Sequence, residues 1–98
     1  MELKKAFGLA VREIRISKGL PQEAIGPSQP FVSDLERGMK SPSLEKIHEL
    51  ASSLGIHPST LFVYCCIKAD EAKVPQEDIL ARVKDELRAI GTSLKNSR

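Results

Sequence analysis

Four side chains in the segment 28–38, SQPFVSDLERG, carry four kinds of hydrogen-bonding group: the amide of Gln29, the hydroxyl of Ser33, the carboxylate of Asp34 and the guanidinium of Arg37. Positions three and four apart share one side of a helix. Val32 and Leu35 then form an apolar back, and the four polar groups point away from it. Such a helix docks by one face and offers donors and acceptors on the other. That is equipment for reading the hydrogen-bonding pattern of a partner rather than for breaking bonds.

No constellation for catalysis accompanies it. Nucleophilic catalysis needs a Ser or Cys, a base and an orienting acid brought together, and the only bases of the usual kind are His48 and His57. There is no glycine-rich phosphate loop and no H-E-x-x-H. The paired acids Glu77-Asp78 and Asp85-Glu86 fall on the polar flanks of a helix, where solvation accounts for them. The two histidines have no third ligand at helical spacing and read as exposed or capping residues. Cys65 and Cys66 are adjacent, which gives neither a disulfide framework nor a C-x-x-C pair. They read as two small hydrophobic residues at the end of a helix. The chain is expected to be no enzyme, with no metal and no cofactor.

The elements that must hold the polar helix follow from hydrophobic spacing. Leu3, Phe7, Ala10, Val11 and Ile14 recur at three and four, which predicts a first helix over 2–18 with Gly19 past its end. A single turn is expected over 21–25, packed through Ala24 and Ile25, with Gly26 and Pro27 making the bend. Ser28 caps the polar helix, Pro30 suits its first turn, and Gly38 ends it. Ser43 caps a helix over 44–54, with Leu44, Ile47, Leu50, Ala51 and Leu54 inward and Gly55 as its stop. Pro58 opens a helix to about 67, with Leu61, Phe62 and Cys65 inward. Composition turns polar over 68–75. A last helix spans 76–94, with the tail beyond it loose; its apolar positions Leu80, Val83, Leu87, Ile90 and Leu94 are spaced three, four, three, four. That is a two-position heptad seam suited to pairing with another helix.

The 98 residues therefore divide into a domain at 1–67, a linker at 68–75 and a terminal helix with its tail at 76–98. The fold class is all-α: five helices plus an additional C-terminal amphipathic helix. With 15 basic against 13 acidic residues the net charge is only +2, so any basic surface must come from placement. No apolar run is long enough to cross a membrane, and the N-terminus lacks the pattern of a signal peptide. A cytoplasmic protein without membrane contact is expected.

Several spaced elements together resemble one family. L-x-Q-E before a bend, S-Q-x-[aromatic]-V-S-x-L-E-R-G after it, then P-S-L-E-K-I and an L-G-I segment are similar to the helix-turn-helix repressors and Cro proteins of lambdoid phages. The similarity runs from about Phe7 to Phe62. The chain departs from the family between Gln22 and Ser28, where about four residues of the motif's first helix are missing.

The resemblance implies a sequence-specific regulator, a repressor that binds double-stranded DNA as a homodimer. Position by position it puts base reading at Gln29, Pro30, Phe31, Ser33 and Asp34. Gln29 would pair with adenine, Pro30 would give shape or thymine-methyl contact only, and Asp34 would accept from cytosine N4. Phosphate contacts fall to Gln22, Ser28, Arg37, Lys40 and Ser43. An ion pair between Arg15 and Glu36 would tie the first helix to the reading helix. The seam of Leu80, Val83, Leu87, Ile90 and Leu94 would supply self-association. Two other readings use the same residues: an antitoxin that gives its last helix to a toxin, or a protein-interaction module that keeps the fold without DNA.

Overall fold

In the computed structural model, which describes residues 1–70 and 73–96, five α-helices and one 3₁₀ turn follow each other along the chain. They are α1 (Leu3–Ser17), the turn Gln22–Ala24, α2 (Gln29–Glu36), α3 (Leu44–Leu54), α4 (Pro58–Ala69) and α5 (Gln76–Asn96). No strand occurs among the described residues.

The helix starts are set by side chains that accept orphan amides. Ser28 accepts from Phe31 N at 3.3 Å, and Ser43 accepts from Lys46 N at 3.2 Å. His57 does the same for α4, its Nδ1 accepting from Ser59 N at 3.0 Å. Pro58 stands in the first turn of α4, where a missing N–H costs nothing.

One core joins the first four helices. Phe7, Ala10 and Val11 of α1 meet Val32 and Leu35 of α2, Leu50, Ala51 and Leu54 of α3, and Leu61 and Cys65 of α4. α1 and α4 are further tied by Glu13, whose carboxylate accepts from the Tyr64 hydroxyl at 2.5 Å and pairs with Lys68 Nζ at 2.8 Å. Burial pushes the Cys65 thiol up to about 11, so it behaves as a core residue and not as a nucleophile.

Four expectations are corrected. The one-turn helix at 21–25 is a 3₁₀ turn of three residues, and only Ile25 packs; Ala24 is exposed. Three residues cannot close α-type hydrogen bonds along a turn, and the tighter 3₁₀ bond serves instead. Leu3, Leu44 and Phe62 are not inward: Leu44 is 78% and Phe62 46% exposed. Leu3 and Leu44 sit in the first turns of their helices with their side chains outward: α4 meets the Leu3 carbonyl, which accepts from Cys65 Sγ at 3.9 Å, and Leu44 and Phe62 line one open groove of about 250 Å³. The fifth predicted helix continues to Ala69, beyond 67. The last helix continues to Asn96. Of the linker expected at 68–75, positions 71–72 lie outside the described residues, as do 97–98 of the tail.

α5 contributes nothing to the core. None of its residues is buried, and its seam is turned to solvent: Leu80 is 46%, Leu87 64% and Leu94 67% exposed. No single helix among the described residues is long and apolar enough to cross a membrane.

Candidate nucleic-acid interface

Helix α2 is fixed from behind by close packing and by one part-buried ion pair. Val32 and Leu35 are buried, while Gln29 and Pro30 at its leading turn are exposed. α1 comes close because position 8 has no side chain: a Cβ at Gly8 would lie 2.1 Å from Leu35 O and 3.0 Å from Glu36 O. At the bend before α2, Gly26 has φ +70°, and a Cβ there would meet Val32 Cγ2 at 2.7 Å. Both the backbone angle and the space therefore call for glycine.

Arg15 of α1 clasps Glu36 in the last turn of α2. Its Nε donates to Oε2 at 2.7 Å and its Nη2 to Oε1 at 2.9 Å, the bidentate fork that guanidinium and carboxylate shapes allow. The side chains are 12% and 4% exposed. The third nitrogen, Nη1, donates to Leu20 O at 2.9 Å and so anchors the loop that leads into the 3₁₀ turn. The hydrogen bond to Glu36 raises the Arg15 pKa above its already high ordinary value, so the guanidinium stays charged.

From this pair a relay reaches the front of α2. Gln22 Nε2 donates to Glu36 Oε1 at 3.0 Å, and Gln29 Nε2 donates to Gln22 Oε1 at 2.6 Å. The exposed amide of Gln29 is thus oriented by a chain of hydrogen bonds that begins at a part-buried ion pair. With its Nε2 engaged by Gln22, Gln29 keeps its Oε1 and its second N–H for a partner.

Toward the far end of α2 four expected site residues come together: Phe31, Asp34, Arg37 and Lys40. Asp34 Oδ1 accepts from Arg37 Nη2 at 2.6 Å, and Asp34 Oδ2 lies 3.8 Å from Lys40 Nζ. Lys40 Nζ also stands 5.0 Å above the centre of the Phe31 ring. Phe31 is half-buried against the core, and Ser33 is half-buried beside Asp34. The carboxylate therefore sits between the two cations that the sequence marks for phosphate. Ser28 and Ser43 are both spent, through their hydroxyls, on helix caps.

The structure brings Gln22, Gln29, Arg15 and Glu36 into one network and Phe31, Asp34, Arg37 and Lys40 into another. Gly8 was missed by sequence reasoning. The signal was present, since a glycine inside a helix costs about 1 kcal/mol relative to Ala and needs a reason. The coupling of Gln22 to Gln29 across the bend was likewise unread, because the two lie seven positions apart across a short turn and a bend that carry no periodicity.

Comparison with known proteins bears on the family and the fold. A helix-turn-helix family model matches residues 11–61. Over 60 residues the chain is 38% identical to y4dJ, an uncharacterized HTH-type transcriptional regulator of Sinorhizobium fredii, spanning 57% of this chain and 78% of that one. Over 76 residues it is 33% identical to the control protein C.BamHI of Bacillus amyloliquefaciens, spanning 72% and 94% respectively. A 50-residue stretch is 48% identical to the HTH-type transcriptional regulator DdrOP3 of Deinococcus deserti, of which it covers 39%. The crystal structure of the clp gene regulator ClgR from Corynebacterium glutamicum shares the fold, with a TM-score of 0.62 at 22% identity over 100% of this chain and 98% of that one. The chain belongs to the Cro/C1-type helix-turn-helix family of DNA-binding transcriptional regulators.

Proposed function

We propose that the protein is a homodimeric repressor that reads an inverted-repeat operator with the leading turn of α2 and blocks access to an overlapping promoter. The observation that carries this is the relay from Arg15 through Glu36 and Gln22 to Gln29, which presents one exposed amide in a fixed orientation. A helix fits the major groove, where every base pair shows a distinct pattern of donors and acceptors. The helix enters by its leading residues. Gln29 then pairs with adenine, Pro30 and Phe31 give apolar and shape contacts, and Ser33 donates or accepts beside them. Asp34 accepts a hydrogen bond from a cytosine amino group while sharing its carboxylate with Arg37.

Phosphates set the register of such a complex. Gln22, Arg37 and Lys40 flank the front of α2 and supply those contacts, with the capped starts at Ser28 and Ser43 offering backbone amides. One α2 reads too few bases to find a site in a genome. Two copies related by a two-fold axis read half-sites about 34 Å apart, and the exposed seam of α5 is the surface proposed to join them. Residues 1–67 act as the DNA-binding unit, residues 76–98 as the associating helix, and the protein works in the cytoplasm as a binder rather than a catalyst.

A gel shift on the DNA upstream of the protein's own gene, with Gln29→Ala in parallel, tests this reading. Sequence-selective retardation by the wild type, weakened in the variant, supports it. Equal binding by both proteins to all duplexes defeats it. The exposed seam also favours a second reading, in which α5 holds an unlike protein such as a toxin; a chain that is monomeric alone and forms a stoichiometric complex with the product of a neighbouring gene supports that one.

A further inference from the structure

Between α4 and α5 lies an open groove of about 390 Å³ with an apolar floor of Val63, Ile67, Leu80 and Val83. Its polar lining is uncharged and includes Ser59, Thr60 and Gln76. A second groove, on the other flank of α5, mixes the charged residues Asp70, Asp78, Arg82 and Glu86 with apolar ones such as Val74 and Ile79. The two flanks of α5 therefore suit different neighbours.

α5 itself is divided in charge. From Gln76 to Arg88 it carries Glu77, Asp78, Arg82, Lys84, Asp85, Glu86 and Arg88, whereas Ala89, Ile90, Gly91, Thr92, Ser93 and Leu94 carry none. A helix end meant for water has no reason to lose its charges for nearly two turns. Gly91 adds to this. It stands inside the helix, and a Cβ built on it meets nothing within 4 Å. No contact within the chain explains the missing side chain, while a helix approaching from another molecule would use it.

We infer that α5 pairs antiparallel with α5 of a second copy, so that the uncharged segment 89–94 of each chain fills the α4–α5 groove of the other. This rests on the dimer reading given above and specifies its geometry. With the two-fold axis beside Leu87, Leu94 of one helix lies opposite Leu80 of the other, and Gly91 lies opposite Val83. The uncharged segment then falls on the uncharged groove, and the small Gly91 lets the backbone come close at its floor. In a parallel pair each position meets its own copy, segment 89–94 faces itself, and both grooves stay open. Two heptads alone fall short of the three or four that define a coiled coil. The antiparallel pairing adds the outer face of α4 from both chains and makes a four-helix layer.

The test uses the full-length chain with Cys65→Ala and Cys66→Ala and a spin label at Lys95→Cys, just outside the docked segment. Antiparallel pairing puts the two labelled backbones about 26 Å apart, from a rise of 1.5 Å per residue and an axis separation of 8–10 Å. A parallel pair puts them within about 15 Å. In sedimentation, Gly91→Glu should weaken the dimer at least about tenfold, roughly 1.4 kcal/mol, while Asp85→Lys, outside that segment and on the face away from the seam, leaves it unchanged; Glu and Lys are good helix formers, so α5 keeps its helicity by circular dichroism. A short label distance, or a dimer indifferent to Gly91→Glu, overturns the antiparallel docking and leaves the DNA-binding reading in place. A monomer at all concentrations overturns the docking and the homodimer together, and the Gln29→Ala comparison then decides DNA binding separately.

Discussion

Breaking the Arg15–Glu36 pair from one side should cost more than deleting it. Arg15→Met keeps most of the side-chain volume but strands the Glu36 carboxylate, 4% exposed, with the Gln22 amide still donating to it. It also frees Leu20 O from Nη1. Removing one partner of a buried pair costs about 3–5 kcal/mol, because the other charge stays desolvated. Against a total stability of roughly 5–15 kcal/mol for a domain of this size that is a large share. At about 4–8 °C per kcal/mol it predicts a fall in Tm of at least about 12 °C. The double variant Arg15→Met/Glu36→Leu removes the stranded charge and fills its place with an apolar side chain. It should be more stable than Arg15→Met alone by at least about 1 kcal/mol. Urea unfolding of the wild type, both single variants and the double variant measures the coupling directly. The relay predicts a second outcome: the double variant, though refolded, reads its site less selectively, because Gln22 has lost the acceptor that orients it toward Gln29. Additive single and double effects, or a double variant with unaltered selectivity, would refute the reasoning.

Three further outcomes are expected. Gly8→Ala, despite Ala's better helix propensity, should destabilise by about 2 kcal/mol, since its Cβ meets Leu35 O at 2.1 Å and backbone cannot yield as a side-chain tip does; thermal unfolding checks it, and a stabilised variant would contradict the packing. Asp34→Asn frees Arg37 and Lys40 from their carboxylate, so it should bind non-operator duplexes more tightly and steepen the salt dependence of log K by roughly one unit; gel shifts between low and moderate salt decide this. The Glu13 carboxyl is held below its ordinary 4.5 by hydrogen bonds from Lys68 and Tyr64. Its contribution is complete above that value and is lost as pH falls through the lowered folded value, so the stability gap between wild type and Glu13→Gln, less than about 1 kcal/mol for so exposed a pair, should close on acidification.

The helices and most of the core were legible because periodicity and caps are local. Phe7, Ala10 and Val11 mark the inner face of α1 by spacing alone, and Ser28, Ser43 and Pro58 mark three helix starts. Some apolar residues were misplaced for a physical reason. Leu44 opens the stripe of α3 and Phe62 lies within that of α4, but whether a member of a stripe is covered depends on what lies across from it, which no window along the chain contains. The shortened first helix of the motif was visible as a missing turn, yet its 3₁₀ form and the exposure of Ala24 depend on how Ile25 reaches the core. Within the site, residue types and the Arg15–Glu36 pair were readable, and the other couplings were not. Asp34, Arg37 and Lys40 stood out separately as readers and phosphate ligands, and only their arrangement in space shows that they share charge.

The central claim is that the Gln29 amide, held at the leading turn of α2, chooses a base. Selection of bound duplexes from a random pool, carried out in parallel with wild type and Gln29→Ala, measures that choice and needs no operator chosen in advance. The account predicts an inverted-repeat consensus for the wild type and, for the variant, the same consensus with preference lost at one symmetrically placed pair of positions, a discrimination of about 1–3 kcal/mol. An identical consensus from both proteins, or none from the wild type, would contradict it.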